Sequence, residues 1–116
     1  MAERIPLAVK ISRSQEGAVT LAPSGDIGYH EAPTLQQAVR EAFDGKARRV
    51  VIDLSGVPYM ATPGLAALVQ ALQISKRDRV PLVLCGLSER VRAVFEIAKL
   101  HSVFTIVADP GAAMST

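Results

Sequence analysis

The feature that most restricts what this chain can fold into is an apolar run without alternation, Val50-Val51-Ile52. It is followed by a Gly/Pro-bearing turn and then an Ala/Leu-rich helical stretch. A half-exposed strand alternates apolar and polar side chains, whereas one apolar at every position is buried on both faces, as in a parallel sheet. The run ends at Asp53, the turn is Ser55-Gly56-Val57-Pro58, and Tyr59-Met60 forms a second apolar patch. Thr62-Pro63-Gly64 leads into the helix, with Thr62 read as its N-cap and Pro63 at the favoured first helical position. Strand, tight loop and helix thus form one unit, with a hydroxyl presented where the helix begins.

The flanking chain repeats this logic. Leu7, Val9 and Ile11 alternate with Ala8 and Lys10, predicting a half-exposed first strand; Ser12 to Gly17 reads as a hairpin turn. Ala18 to Ala22 returns as a second strand, stopped by Pro23-Ser24-Gly25. A helix entered near Ala32-Pro33 carries Leu35, Ala38, Val39, Ala42 and Phe43 on one helical face, and Asp44-Gly45 ends it. After Thr62, Leu65, Leu68, Val69 and Leu72 keep helical spacing, while Ala66, Ala67 and Ala71 keep the remaining surface small enough for close approach of a partner or the sheet. Val80 to Cys85 is a further apolar strand, and Ser88 caps a helix with Val91, Val94, Phe95 and Ala98 as its inner stripe. Val103 to Val107 is the last strand, with Asp109-Pro110 opening a short terminal helix. The expected fold is α/β: about five strands in the order β-β-α-β-α-β-α-β, a mixed sheet parallel in its later part with helices packed on it.

At 116 residues the chain has the length of one domain, 1–116. An apolar fraction of 49% with 21% charged residues is that of a globular protein. The net charge is only +2, and the short basic clusters Lys46-Ala47-Arg48-Arg49 and Lys76-Arg77-Asp78-Arg79 read as solvated surface rather than a nucleic-acid footprint. No stretch approaches the ~18 consecutive apolar residues of a membrane span. The N-terminus carries Glu3 and lacks an apolar leader core, and one cysteine allows no internal disulfide. Both point to the cytoplasm.

Catalytic chemistry finds little footing. His30 and His101 have no partner at metal-ligand spacing, and phosphate-binding, nucleophile-elbow and dinucleotide fingerprints are missing, so no metal, cofactor or enzymatic activity is expected. Cys85 ends an apolar strand as a small core residue, and Asp53 reads as the cap of its turn. Thr62 carries two compatible readings: a helix cap worth roughly 1 kcal/mol, or a phosphoacceptor whose phosphate would meet the positive end of the helix dipole.

The segments Asp53-Leu54-Ser55-Gly56-Val57 and Tyr59-Met60-Ala61-Thr62-Pro63-Gly64-Leu65 resemble the signature of the STAS domain, the fold of bacterial anti-sigma factor antagonists. Gly25-Asp26-Ile27 is similar to that family's Gly-Glu-Leu after the second strand. Val80 to Leu84 and Phe95 to Phe104 resemble its later strand, helix and strand, so the likeness spans nearly the whole chain. In the family loop an Asp precedes the phosphoacceptor. Carried over by position, the Asp falls on Ala61, the acceptor on Thr62, the next residue on Pro63 and the glycine on Gly64. A second acidic position falls on Gly28. The acceptor hydroxyl is retained, two carboxylates of the same face are absent, and Pro63 withholds an N–H.

What the resemblance implies is a non-catalytic partner-switching protein. Such a domain docks on a histidine-kinase-like serine/threonine kinase, often an anti-sigma factor; phosphorylation of the acceptor releases it, and a PP2C-type phosphatase resets it. The implied switch is Thr62, and the implied docking surface comprises Asp26, Gly28, Tyr29 and His30 beside Ala61, Thr62, Pro63 and Gly64, with Ala66, Ala67 and Gln70 along the helix. A second implied reading is the accessory subunit of a phospholipid-trafficking ABC transporter, binding its ATPase through a permanent contact. A third is a scaffold that takes no phosphate. Neither nucleic acid nor insertion into a membrane is part of any of the three.

Overall fold

A computed structural model describes residues 7–115. The first six residues, read above for a leader, and Thr116 lie outside that range. Five strands and four helices follow in the order β1 (Ala8–Arg13), β2 (Ala18–Ser24), α1 (Ala32–Ala42), β3 (Arg49–Asp53), α2 (Thr62–Asp78), β4 (Leu82–Cys85), α3 (Glu89–Ile97), β5 (Thr105–Val107) and α4 (Pro110–Ser115). The sheet runs β1-β2-β3-β4-β5; β1 is antiparallel to β2 and every other pair is parallel. All β→α connections therefore emerge at one end of the sheet, and all α→β connections return at the other.

The unalternating apolar run is explained by two cores. Val50 and Ile52 of β3, with Leu82 and Leu84 of β4, face the main core, which α1, α2 and α3 cover with Leu35, Leu68, Val91 and Phe95. Val51, Val83 and Cys85 point to the opposite face, where Ala113 of the short helix α4 covers them. Arg49 Nη1 donates to the Ala113 carbonyl at 2.9 Å and ties that helix across β3. Ala38, Ala42, Ala67 and Ala71 are all buried, and small side chains let α1 and α2 lie side by side on the sheet.

Several boundaries differ from those expected, each for a tertiary reason. Strand β2 continues through Pro23, paired with Val9, because its parallel ladder with β3 has already ended at Leu21 and the missing N–H leaves only one neighbouring strand concerned. Strand β4 starts at Leu82; the Pro81 carbonyl instead accepts from Val50 N–H at 2.9 Å. Strand β5 is only three residues long, since Val103 and Phe104 close a turn onto the Leu100 carbonyl and Phe104 meets Phe95 edge-on at 5.5 Å. Ala98 caps α3 and is exposed rather than part of its inner stripe.

Candidate functional site

The candidate site lies where β2 and β3 give way to α1 and α2. Two extended segments meet there. Ile27 N–H donates to the Tyr59 carbonyl at 2.9 Å, and Ala61 N–H donates to the Ile27 carbonyl at 2.8 Å, forming a parallel bridge between Ile27 and Met60. Extended geometry alternates side chains between faces. Ile27 and Met60 accordingly plunge into the core, while Asp26 and Tyr59 point outward. The 25–30 loop is thus laced to the entrance of α2, which brings Asp26 and Gly28, the neighbours of Ile27, next to the Tyr59–Ala61 segment.

Helix α2 begins differently from the sequence expectation. The N-cap is Ala61 in extended conformation, Thr62 is the first helical residue and Pro63 follows it. Because Ala61 N–H is held by Ile27 and its carbonyl accepts from Leu65, the cap is assigned to Ala61 and not to Thr62. No side chain caps this helix. Thr62 is exposed, and its hydroxyl makes no hydrogen bond to the described residues. No acidic residue occupies the first turn, so α2 places no carboxylate of its own at the positive end of its dipole.

Around Thr62 the surface is open. Tyr29 is 80% exposed and meets His30 edge-on, while Ala66 is exposed and Ala61, Pro63 and Gln70 are half-buried. Two residues expected to face a partner do not. Ala67 is fully buried against the core. Gly64 is buried too, and a Cβ there would lie 2.7 Å from Met60 Cγ and 2.8 Å from Ile27 Cγ2. Its role is to let α2 sit directly on the Ile27–Met60 bridge, so glycine is required by close approach rather than by docking.

Two groups on this face escaped the sequence reading. Tyr59 is 40% exposed, and the Arg90 guanidinium of α3 lies 5.4 Å from its ring centroid, within cation–π range. The apolar-patch reading of Tyr59-Met60 overlooked that a bridged extended segment must turn one of the two outward. Glu31 accepts the Gly28 N–H through Oε1 at 2.9 Å. A carboxylate therefore lies beside position 28 although residue 28 itself has none; the three-residue spacing was the available signal. Asp53 accepts from Ser55 N–H at 3.0 Å, as a turn cap does. Cys85 is buried, and burial, with Asp53 and Asp109 nearby, pushes its thiol up to about 11. Among the described residues no His, Cys, Asp and Glu group of three or more is placed to hold a metal ion.

Comparison with known proteins agrees with this architecture. The model of the STAS domain matches residues 10–113. The anti-sigma-B factor antagonist of Listeria monocytogenes is 31% identical over 101 residues, covering 86% of this chain and 88% of that protein. An anti-sigma factor antagonist from Mycobacterium paratuberculosis superimposes with a TM-score of 0.85 at 20% identity, covering 94% of this chain and 92% of that one. The Bacillus cell fate determinant SpoIIAA in its phosphorylated form gives a TM-score of 0.71 at 15% identity over 93% and 98% of the two chains. At such identities the two structures speak for the fold.

Proposed function

The chain belongs to the STAS domain family, and from that membership we propose that it is a cytoplasmic partner-switching regulator whose switch is the Thr62 hydroxyl. The observation that carries this reading is that Thr62 is exposed at the first turn of α2, with its hydroxyl committed to no cap. In the unphosphorylated state the exposed surface formed by Asp26, Gly28, Tyr29, His30, Ala61, Thr62, Pro63, Ala66 and Gln70 docks on a histidine-kinase-like serine/threonine kinase that also holds another protein, an anti-sigma factor in the simplest case. The kinase transfers the γ-phosphoryl of ATP to Thr62 Oγ1: an O–P bond forms, the terminal phosphoanhydride breaks, and the hydroxyl proton passes to a base of the kinase. The product carries nearly two added negative charges. They face the ADP left in the kinase site, and like-charge repulsion with added bulk drives release. A PP2C-type phosphatase hydrolyses the phosphothreonine and restores docking.

The relatives support the reading through their names: the Listeria protein is an anti-sigma-B factor antagonist, and one structural neighbour is a phosphorylated form. The test is affinity capture from the native host with wild type, Thr62→Ala and Thr62→Glu as baits. The kinase should be retained by wild type and Thr62→Ala and weakened with Thr62→Glu. Equal capture by all three would replace the switch with a permanent contact.

A further inference from the structure

The two short basic runs are far apart in sequence, yet the fold brings them to one end. Lys46 to Arg49 immediately precede β3, Lys76 to Arg79 close α2 just before β4, and β3 and β4 are parallel neighbours. Arg48 N–H donates to the Gly17 carbonyl at 2.8 Å, which brings in the β1–β2 turn; Lys99 lies in the connection returning to β5. Residues 13–17, 41–49, 76–81 and 96–104 therefore form one pole, with eight Lys or Arg against five carboxylates. Asp44 is occupied by Arg13 at 3.2 Å and Asp78 by Arg77 at 2.9 Å. Lys46, Arg48, Lys76 and Arg79 are exposed and make no ion pair among the described residues. At the opposite pole, residues 24–31, 53–62, 86–90 and 107–110 carry five carboxylates against the single Arg90. A chain of net charge +2 is thus strongly bipolar.

The basic pole is also studded with apolar side chains. Ile97 is 84% exposed and Val103 47%, and Met114, at the end of α4 beside Arg49, is 49% exposed. We propose that this pole docks the protein on an anionic phospholipid surface, with the Thr62 pole facing the aqueous phase. The cations extend across a sheet about 20 Å wide, five strands at about 4.8 Å spacing, which matches a plane rather than one acidic peptide in a cleft. The phenyl rings at this end, Phe43 and Phe104, are buried, and His101 is the one exposed ring of these segments, which is no row of platforms for the successive base stacking that single-stranded nucleic acid uses. Lys and Arg near an anionic leaflet contribute about 1 kcal/mol each within a Debye length, and Ile97, Val103 and Met114 reach the headgroup layer. The acidic pole is repelled by the same field, which fixes the orientation. Docking is peripheral, since among the described residues no helix is long and apolar enough to cross a membrane.

The experiment is co-sedimentation of the full chain with phosphatidylcholine vesicles, with and without phosphatidylglycerol, over a salt titration. Binding should need phosphatidylglycerol and fall steadily with NaCl. In the double variant Lys46→Glu/Lys76→Glu it should drop about tenfold or more, with the melting temperature unchanged. Thr62→Ala should bind vesicles like wild type, which separates this proposal from the switch. Failure to bind the anionic vesicles, binding indifferent to salt or to the double variant, or tighter binding to poly-glutamate or DNA than to vesicles would each overturn it. The salt titration decides the matter even if the double variant does not fold.

Discussion

Helices α2 and α3 start from the same backbone and use their hydroxyls in opposite ways. Both leave an extended cap residue, Ala61 with φ −94° and ψ 170° and Ser88 with φ −66° and ψ 164°. At α3 the hydroxyl sits on the cap itself, and Ser88 Oγ accepts from Val91 N–H at 3.2 Å. At α2 it sits one residue later, on Thr62, where it reaches no backbone N–H and stands in solvent. A one-residue offset separates a hydroxyl consumed by the fold from one left available for chemistry. A third nucleophile, Cys85 at the end of β4, is available to nothing because it is buried.

This contrast can be broken or sharpened by substitution. The largest effect is expected beneath Thr62: Gly64→Ala would press a methyl against Ile27 and Met60, costing about 1–3 kcal/mol by overpacking. Denaturant unfolding should show the loss, and partner capture should weaken as the α2 entrance shifts. Next is the thiol. In the unfolded chain Cys85 ionises near 9.0, in the folded protein near 11. Between these values the unfolded state releases a proton that the folded state keeps, so stability falls as pH rises through that window, by about 1–3 kcal/mol in all. Unfolding curves of Cys85→Ala should lack that component, and native Cys85 should resist alkylation at neutral pH.

The smaller effects bear directly on the two hydroxyls. Ser88→Ala removes a working cap and should cost about 1 kcal/mol. Thr62→Ala removes an exposed group with no partner and should stay within about 0.5 kcal/mol of wild type. If the two losses were equal, Thr62 would be a cap after all and the distinction would fail.

The order of elements, the helix faces of Leu35 to Phe43 and Leu65 to Leu72, and the Ser88 and Asp109 caps were legible because each depends on local periodicity or capping chemistry. What escaped depends on contacts between distant segments. Thr62 reads as the cap from sequence because nothing local reveals that Ile27 holds Ala61. Ala67 suits a docking face as well as it suits contact with α1, because its side chain is small either way, and only the α1–α2 packing decides. Gly64 looked like a loop glycine of the site; the Ile27–Met60 bridge beneath it supplies the steric reason. The basic runs read only as solvated surface because their meeting is a consequence of parallel strand order, which residue spacing does not encode.

Whether Thr62 accepts phosphate is decided by intact mass measurement and phosphopeptide mapping of the protein purified from its native host during growth and under stress. With Thr62 as the switch, the protein carries a single phosphate, on Thr62 and on neither Ser88 nor Ser55, in a fraction that changes with condition. A chain unphosphorylated under every condition, or phosphorylated elsewhere with Thr62 unmodified, would contradict it.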